Sequence, residues 1–522
     1  MRLRGALLLV ALAVMAAASL VPSSAPGRVA AAGVAEISTG GSHTCAVTSM
    51  GVAKCWGKND DGELGDNTLT DRPTPGNVAG LTLGVAAIGA GGDQSCAVRS
   101  NGGVRCWGFN RYGQLGTGTT TMSASPLDVS GLGSGVASVA AGFAHTCART
   151  TAGGAKCWGR NDLGQLGATS SDTCQALACS TTPIDVTGLS TGVQALALGD
   201  SHTCALISGG TVKCWGSNNA GQLGDGTQTQ RPTPVDVSGL TGVTAIAAGA
   251  FHTCAFVSLG SIYCWGLDAF GQLGDGGATD FSATPVLVPA LDDAALAVTA
   301  GAYHTCAIDS LNAVRCWGRN DVGQLGAPSS DVCQVAQAYA CSTAPIPNGV
   351  TGASKLGGGG SAFHTCAVLS TGAARCWGYN SRGQVGDGTT TNATTPRDVF
   401  GFGAAPDSDG DGCTNAQEDG PTATLGGQRD GKNFWDFFDT PAGANVRDGA
   451  VTSGDLARVV ARFGANGSAA LDPLSPPPAS GYHTAFDRTP STPNVWNLGP
   501  PNASITAQDI ALIVGQFGHT CV

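Results

Sequence analysis

Histidine, cysteine and glycine lie close together between residues 202 and 227. Cys204 follows His202 by two positions, Cys214 lies ten positions later, and the segment ends in a glycine-rich run, GQLGDGT. A histidine with two thiols could bind zinc, a cysteine pair could exchange disulfides, and a glycine-rich turn could hold a phosphate. Each chemistry requires its own spacing, so the pattern along the chain distinguishes between them.

The pattern occurs seven times, and its details oppose all three chemistries. Each repeat offers at most three ligands where a structural zinc usually has four, and the second repeat has Asp93 where the others have histidine. No Cys-x-x-Cys pair occurs, and the glycine run lacks the Lys-Ser/Thr ending of a phosphate loop. Because a catalytic residue is normally unique, we expect no catalytic residue here and no enzyme.

The period of the repeat indicates the elements that position these residues. Cys–Trp pairs recur at intervals of 50 to 60 residues, each preceded by a second cysteine ten positions earlier and followed by a GQLG-like run. Each repeat contains four short extended stretches and no helical periodicity, which is typical of a propeller blade. We predict an all-β fold, a seven-bladed β-propeller of four-stranded blades covering residues 36–400.

A single strand register explains the cysteines. If Cys204 lies opposite Cys214 on a hairpin, the Cα separation suits a disulfide, with Thr203 and Trp215 paired on the other side. The spacing is identical in every repeat, so seven intra-blade disulfides are expected. They are Cys45–Cys55, Cys96–Cys106, Cys147–Cys157, Cys204–Cys214, Cys254–Cys264, Cys306–Cys316 and Cys366–Cys376.

The other recurring side chains are expected to stabilise this scaffold. The histidine of six repeats should make a hydrogen bond near the start of its strand, between blades or to a turn. The Trp after each second cysteine should pack against the next blade, and a recurring asparagine such as Asn59 should bond to turn backbone. The histidines are His43, His145, His202, His252, His304 and His364.

The repeat, with its HTCAL, KCWG and GQLGDGT motifs, resembles the regulator of chromosome condensation repeat. The resemblance covers residues 36–400 and is to the cysteine-bearing form common in exported bacterial proteins. The family is a seven-bladed propeller, so the resemblance implies the same fold. Its members range from a nuclear guanine-nucleotide exchange factor that binds chromatin to secreted inhibitors of β-lactamase, so the fold does not identify the function.

Repeats three and six carry insertions at the same place, directly after their GQLG runs. Each insertion has its own cysteine pair, Cys174–Cys179 and Cys333–Cys341, and both should project from one face as disulfide-closed loops. The alternative is that they are decorated loops without a partner. The binding-loop candidates are Asp172, Gln175, Asp331, Gln334 and Tyr339.

Residues 1–32 are predicted to form a secretory signal peptide. Arg2 and Arg4 precede a short apolar run, and small-residue cleavage sites follow at 16–18 and 30–32; an uncleaved anchor is the alternative. A net charge of -11 and a pI near 5.0 argue against nucleic-acid and anionic-membrane partners. We expect a secreted or cell-surface bacterial monomer with no membrane span after signal removal.

Residues 401–522 are expected to form a separate calcium domain. Residues 407–418 fit the calcium-loop pattern D-x-D-x-D-G-x5-E, and Cys413 and Cys521 are left over to form a bridge. The predicted Ca2+ ligands are Asp407, Asp409, Asp411, the Cys413 carbonyl, Asn415 and Glu418. Two further loop–helix units resemble a dockerin, the family that docks secreted proteins onto cohesin modules. Ligands carried over from it are Asp439, Asp448, Asp455, Asp487, Asn502 and Asp509, in loops longer than the family's.

These observations favour a secreted, non-enzymatic scaffold that binds a protein or a glycan and has a calcium-stabilised docking or spacer domain. Two alternatives remain open. The resemblance implies guanine-nucleotide exchange, and the dockerin-like segment suggests a catalytic or non-catalytic subunit of an extracellular polysaccharide-degrading assembly.

Overall fold

A computed structural model describes residues 33–258, 260–291, 295–333 and 338–402, and two short strands near the C-terminus. The expected signal peptide, the calcium ligands between Asp407 and Asp509, the Cys413–Cys521 bridge and Gln334 lie outside the described residues. The two short strands are Thr489–Pro490 and Leu498–Gly499, which pair antiparallel.

Seven antiparallel sheets follow one another along residues 34–398, one for each repeat. The first blade has β1 (Val34–Thr39), β2 (His43–Thr48), β3 (Ala53–Gly57) and β4 (Arg72–Asn77), and the second has β5 (Val85–Ala90), β6 (Gln94–Arg99), β7 (Val104–Gly108) and β8 (Ser123–Asp128). The third has β9 (Val136–Ala141), β10 (His145–Thr150), β11 (Ala155–Arg160), β12 (Asp172–Cys174) and β13 (Leu177–Asp185). The fourth has β14 (Val193–Leu198), β15 (His202–Ile207), β16 (Thr211–Gly216) and β17 (Arg231–Asp236).

The remaining three blades repeat this plan. The fifth has β18 (Val243–Ala248), β19 (His252–Val257), β20 (Ile262–Leu267) and β21 (Phe281–Leu287), followed by a 3₁₀ turn at Pro289–Leu291. The sixth has β22 (Ala295–Ala300), β23 (His304–Asp309), β24 (Val314–Arg319), β25 (Asp331–Cys333) and β26 (Tyr339–Pro347). The seventh has β27 (Ala353–Gly357), β28 (His364–Leu369), β29 (Ala374–Gly378) and β30 (Ala393–Asp398). The all-β, seven-bladed propeller expected from the repeats is confirmed.

Each four-stranded blade is a meander in which the strands are ordered as they occur in the chain, so no blade borrows a strand from another. The first strands of blades one to six line the central channel, and the seventh blade contributes Gly358, Gly359 and Gly360, which follow β27. The register within the second hairpin is the expected one, with Cys204 opposite Cys214 and Thr203 opposite Trp215. A bulge follows each second cysteine, as between Cys55 and Gly57, where the φ of Gly57 is 106°. This positive φ favours glycine. The Trp between the Cys and the Gly faces away from the disulfide because successive side chains of a strand point to opposite faces.

The core lies between blades as much as within them. All seven tryptophans of the Cys–Trp pairs are fully buried. Trp107 of the second blade packs with Leu64, Val78 and Leu81 of the first blade, and the same arrangement recurs around the ring. The tryptophans therefore pack against the preceding blade, and the prediction that they face the next blade is wrong. The direction depends on how consecutive sheets stack, which the sequence of one blade does not determine.

The loops of each blade divide between two faces. The insertion face carries the connections from first to second and from third to fourth strands, and the opposite face carries the tight hairpins and the links between blades. Both inserted hairpins, β12–β13 and β25–β26, extend the outer edge of their sheets from the third-to-fourth connection. They therefore emerge on the same face, as the sequence predicts.

Candidate functional site

The repeated polar residues form one hydrogen-bonded contact between each pair of adjacent blades, which we call the inter-blade clamp. In the fourth and fifth blades, Nε2 of His202 lies 2.9 Å from Oγ1 of Thr253, and this hydroxyl donates to the carbonyl of Gln222 at 3.0 Å. The indole of Trp265 donates to the same carbonyl at 3.0 Å. The clamp thus joins a histidine and a glutamine of one blade to a threonine and a tryptophan of the following blade.

The clamp determines the protonation state of its histidine. The single proton of the Thr253 hydroxyl is directed at a carbonyl, so the hydroxyl oxygen must accept the proton on Nε2 of His202. Burial lowers the pKa of His202 from 6.5 to about 3, and His145, His252, His304 and His364 are shifted likewise. These imidazoles are neutral at physiological pH and serve as fixed hydrogen-bond donors. The expected bond between blades is therefore present.

The second blade departs from this pattern in a way the sequence analysis misassigned. Gln94 lies opposite Gly108, as His43 lies opposite Gly57, so Gln94 and not Asp93 occupies the histidine position. Its amide donates to the carbonyl oxygens of Gly142 and His145, at 3.0 and 3.3 Å, in the following blade. Gln94 lies two residues before Cys96, as each clamp histidine lies two residues before its cysteine, and a glutamine preserves the contact between blades without an ionisable ring.

Asp93 instead joins a cluster of charges around Lys58. Nζ of Lys58 lies 2.8 Å from Asp93 Oδ1, 2.9 Å from Glu63 Oε1 and 3.5 Å from Asp61 Oδ2. Glu63 replaces the glutamine of the GQLG run in this blade, and its side chain is fully buried. Burial raises the pKa of Glu63, and Lys58 opposes that shift. The cluster links the first two blades.

Nine disulfides are formed in the described part of the chain. Seven join the second and third strands of a blade with Cα separations of 4.1 Å, and Cys174–Cys179 and Cys333–Cys341 close the two inserted hairpins. Among the described residues, no cluster of three or more histidine, cysteine or acidic side chains could hold a metal ion. In the same residues, no helix is both long enough and apolar enough to span a bilayer.

The two predicted aspartates of the inserted hairpins are engaged within their own loops. Oδ2 of Asp172 accepts hydrogen bonds from the backbone and hydroxyl of Thr181, both at 3.0 Å, and Asp331 holds Thr343 in the same way. Gln175 lies at the hairpin tip with a φ of 50°. The ring of the fourth described candidate, Tyr339, contacts the guanidinium of Arg319.

Tyr339 belongs to a cluster of five aromatic rings on the insertion face, which we call the aromatic patch. It comprises Phe251, Phe270, Tyr303, Tyr339 and Phe363. The rings of Phe251 and Tyr303 are 6.0 Å apart and those of Tyr303 and Phe363 are 5.7 Å apart. Phe251, Tyr303 and Phe363 occupy the same position in three consecutive blades, three residues before the first cysteine. That alignment was the available signal, and the sequence analysis missed it.

Arg319 stands at the centre of the aromatic patch. Its guanidinium carbon lies 4.5 Å from the centre of the Tyr339 ring and 5.2 to 5.7 Å from those of Phe270, Tyr303 and Phe363. The guanidinium donates two hydrogen bonds, of 2.7 and 2.6 Å, to the Asp321 carboxylate. The arginine charge is therefore already compensated, and Arg319 holds the rings in place.

Beside the aromatic patch, the seventh blade fills the channel mouth with its first connection, residues 358–363. This connection has six residues where every other blade has three. A Cβ on Gly359 would collide with the carbonyl oxygen of Thr39, and one on Gly360 would lie 2.7 Å from that of Leu198. Ser361 then donates to Oδ1 of Asp200 at 2.6 Å, and burial raises the pKa of Asp200 to about 6. We call residues 358–361 the glycine plug.

Comparison with known proteins agrees with this architecture. The model of the RCC1-like domain matches residues 15–362, and that of the regulator of chromosome condensation (RCC1) repeat matches residues 359–384. The chain is 29% identical to the ultraviolet-B receptor UVR8 of Arabidopsis thaliana over 369 residues, which is 69% of this chain and 80% of the receptor. It is 34% identical over 209 residues to the human E3 ubiquitin-protein ligase HERC2, covering 39% of this chain and 4% of the ligase.

Two solved structures share the fold. Prp20p from Saccharomyces cerevisiae superimposes with a TM-score of 0.58 at 22% identity, covering 68% of this chain and 87% of that chain. Human WBSCR16 superimposes with a TM-score of 0.58 at 20% identity, covering 67% and 94%.

Proposed function

The chain belongs to the RCC1-like domain family, and from this premise we propose that its propeller is a non-enzymatic binding scaffold for an extracellular protein or glycan. One observation carries the proposal. The repeated side chains with catalytic potential are engaged in the inter-blade clamp and the disulfides, whereas the two inserted hairpins and the aromatic patch, which are not repeated in every blade, lie on the insertion face. Variable loops on a rigid framework are the usual location of a binding site.

The extracellular setting is supported by the cysteines. Nine disulfides in the described residues suit an oxidising compartment, because thiols in the cytosol are kept reduced. The arginine-led apolar run near the start of the sequence matches the pattern of an export signal and supports the same proposal. Fractionation of cells that express the full chain should place the oxidised protein outside the cytosol. Recovery of reduced protein from the cytosol would contradict the proposal.

A binding assay with the full-length, disulfide-intact protein tests the scaffold itself. We expect an extracellular protein or glycan to bind the oxidised protein without being turned over. Substitutions on the insertion face should abolish this binding. Release of a cleaved product would instead support the second alternative, a catalytic subunit of an extracellular polysaccharide-degrading assembly.

Guanine-nucleotide exchange is the alternative that the family supports. Prp20p of yeast, which shares the fold, has been described with its binding to Gsp1p and histones. The disulfides and the net charge of -11 disfavour a cytosolic GTPase or a nucleic acid as the partner of this chain. Stimulated release of a labelled guanine nucleotide from a small GTPase by the purified protein would favour exchange over the scaffold.

For residues 401–522 we propose a calcium-stabilised docking or spacer domain with a cohesin-like anchor as its partner. The support is the pattern from Asp407 to Glu418 and the dockerin-like duplication. Calorimetric titration of the full chain with calcium should show binding that Asp407→Ala weakens. Deletion of residues 401–522 should reduce retention at the cell surface, and unchanged retention would refute docking.

A further inference from the structure

We propose that the aromatic patch is the binding site for a neutral glycan, with the sugar rings stacked on Phe251, Tyr303 and Phe363 and their hydroxyls hydrogen-bonded to Asp200. The inference rests on the scaffold function proposed above and names its ligand and its site. The rings are half-buried, and all three belong to short connections around the mouth of the channel.

The third blade contains a second arrangement of arginine, carboxylate and inserted hairpin like that around Arg319. Comparing the two shows which residues belong to the scaffold and which are left for a ligand. In the third blade, the Arg160 guanidinium donates two hydrogen bonds to the Asp162 carboxylate, at 2.7 and 2.6 Å, as Arg319 does to Asp321. The Arg160 guanidinium also lies 5.5 Å from the centre of the Tyr112 ring. An inserted, disulfide-closed hairpin follows in both blades. The arginine, the carboxylate and the hairpin are therefore part of the framework of an inserted blade.

The second arrangement has Tyr112 in the position of Phe270 but lacks the other four rings of the aromatic patch. The positions equivalent to Phe251, Tyr303 and Phe363 in blades two to four hold Asp93, Ala144 and Ser201. In the inserted hairpin of blade six, Tyr339 pairs with Cys333. In that of blade three, the equivalent partner of Cys174 is Leu177. Since the framework forms without these rings in one half of the propeller, framework stability does not explain their presence in the other.

The connections that carry the rings are fixed before any ligand arrives. Consecutive connections are joined by backbone hydrogen bonds from Asp200 to Ala250, from Ala250 to Ala302 and from Ala302 to Ala362, at 3.3, 3.1 and 2.7 Å. Each aromatic residue follows directly after one of these alanines. A row of rigid rings loses little conformational entropy on binding, which favours affinity.

The charges of the aromatic patch select the class of ligand. The Arg319 guanidinium is compensated by Asp321 and surrounded by four rings, so it offers little to an anion and repels a second cation. Among the described residues, only Ser361 donates a side-chain hydrogen bond to the Asp200 carboxylate, and Oδ1 accepts it. An apolar peptide would cover this carboxylate without a donor, which is costly, whereas sugar hydroxyls supply donors beside C–H faces that stack on rings.

An array of neutral and acidic oligosaccharides, probed with the full-length oxidised protein, tests the proposal. We expect binding to neutral oligosaccharides and not to sulfated or uronic-acid ones. Phe251→Ala and Tyr303→Ala should each weaken it by about tenfold or more, and Tyr303→Phe should retain it. Tyr112→Ala, which removes the ring beside Arg160, is the matched control and should leave affinity within about twofold. Equal melting temperatures and full disulfide content would establish that the variants fold.

The outcomes separate this proposal from the scaffold function on which it rests. Glycan binding that survives the Phe251→Ala/Tyr303→Ala double substitution would overturn the assignment of the site. If the wild type binds an extracellular protein but no glycan, and the double variant loses that protein, the glycan proposal is overturned and the scaffold function stands. Failure to bind any extracellular protein or glycan would overturn both.

Discussion

Nε2 of His364 lies 2.6 Å from Oγ1 of Thr44, although 320 residues separate them in the chain. The same hydroxyl donates to the carbonyl of Gln384 at 2.8 Å, and Trp56 donates to that carbonyl at 2.9 Å. The first and last blades are thus joined by the clamp that joins neighbouring blades elsewhere. Backbone hydrogen bonds add to this closure, such as that from Val34 N–H to the Gly372 carbonyl at 2.8 Å, and among the described strands none is exchanged between the two ends.

Replacing Thr44 by valine tests this closure. The substitution keeps the shape but leaves the His364 donor buried without its acceptor, which should cost about 1–3 kcal/mol of unfolding free energy. Thr253→Val removes the equivalent hydroxyl between two blades that are adjacent in the chain and should cost a similar amount. Denaturant unfolding measures both. A large cost for Thr253→Val with none for Thr44→Val would show that the ends are not held by the clamp.

The clamp histidines should make stability depend on pH. The folded pKa of His202 is about 3 against 6.5 ordinarily, so the unfolded state binds more protons between these values. The stabilising contribution is complete above pH 6.5 and is lost as the pH falls towards 3. Each such histidine can add a slope of up to about 1.4 kcal/mol per pH unit.

The chain itself supplies the control for this pH dependence, since Gln94 occupies the histidine position in the second blade. His202→Gln should reduce the slope of unfolding free energy against pH by up to about one proton between pH 4 and 6. Unfolding curves measured across that interval decide the matter. Identical slopes for wild type and His202→Gln would rule out titration of His202 as a source of acid sensitivity.

The buried carboxylate of Glu63 should depend on Lys58. Lys58→Met leaves this fully buried acid without its cation and should cost about 3–5 kcal/mol. Glu63→Gln restores the residue found at this position in the other GQLG-like runs and should recover most of the loss in the double variant. A double-mutant cycle measures the coupling. Additive effects of the two substitutions would exclude a direct interaction.

The glycine plug should not tolerate side chains. Gly359→Ala would place a Cβ against the Thr39 carbonyl and should cost about 1–3 kcal/mol, because the surrounding backbone is densely packed. Gly133→Ala is the matched control, since no atom lies within 4 Å of its added Cβ. Thermal unfolding compares the two. Equal melting temperatures would mean that the plug can move aside.

The fold could be predicted from the sequence because each structural signal is repeated seven times. A fixed interval of ten residues between paired cysteines determines one hairpin register, and a recurring asparagine marks one turn. Asn59 confirms the latter, because its Oδ1 accepts from the backbone of Leu64 at 2.9 Å and its amide donates to Thr68 and Thr70 carbonyls. Local geometry of this kind is specified by neighbouring residues.

What could not be predicted depends on the order of blades around the ring. Asp200 and Ser361 are 161 residues apart and meet only because a longer connection in the seventh blade crosses the channel mouth. The aromatic patch consists of residues from three blades, and within a single repeat none of these residues stands out. Likewise, the sequence does not show that Asp172 and Asp331, at the start of the inserted strands, accept hydrogen bonds from Thr181 and Thr343 within their own hairpins.

Self-contained blades also have an evolutionary consequence. Since every sheet is made from one continuous stretch of sequence, copying a block of the gene adds or replaces whole blades without breaking a strand pair. Blades three and six, with the same insertion and the same arginine–carboxylate pair, are most simply explained as copies from a duplicated block of three repeats. The two halves of the propeller now differ in the aromatic residues beside this shared arrangement.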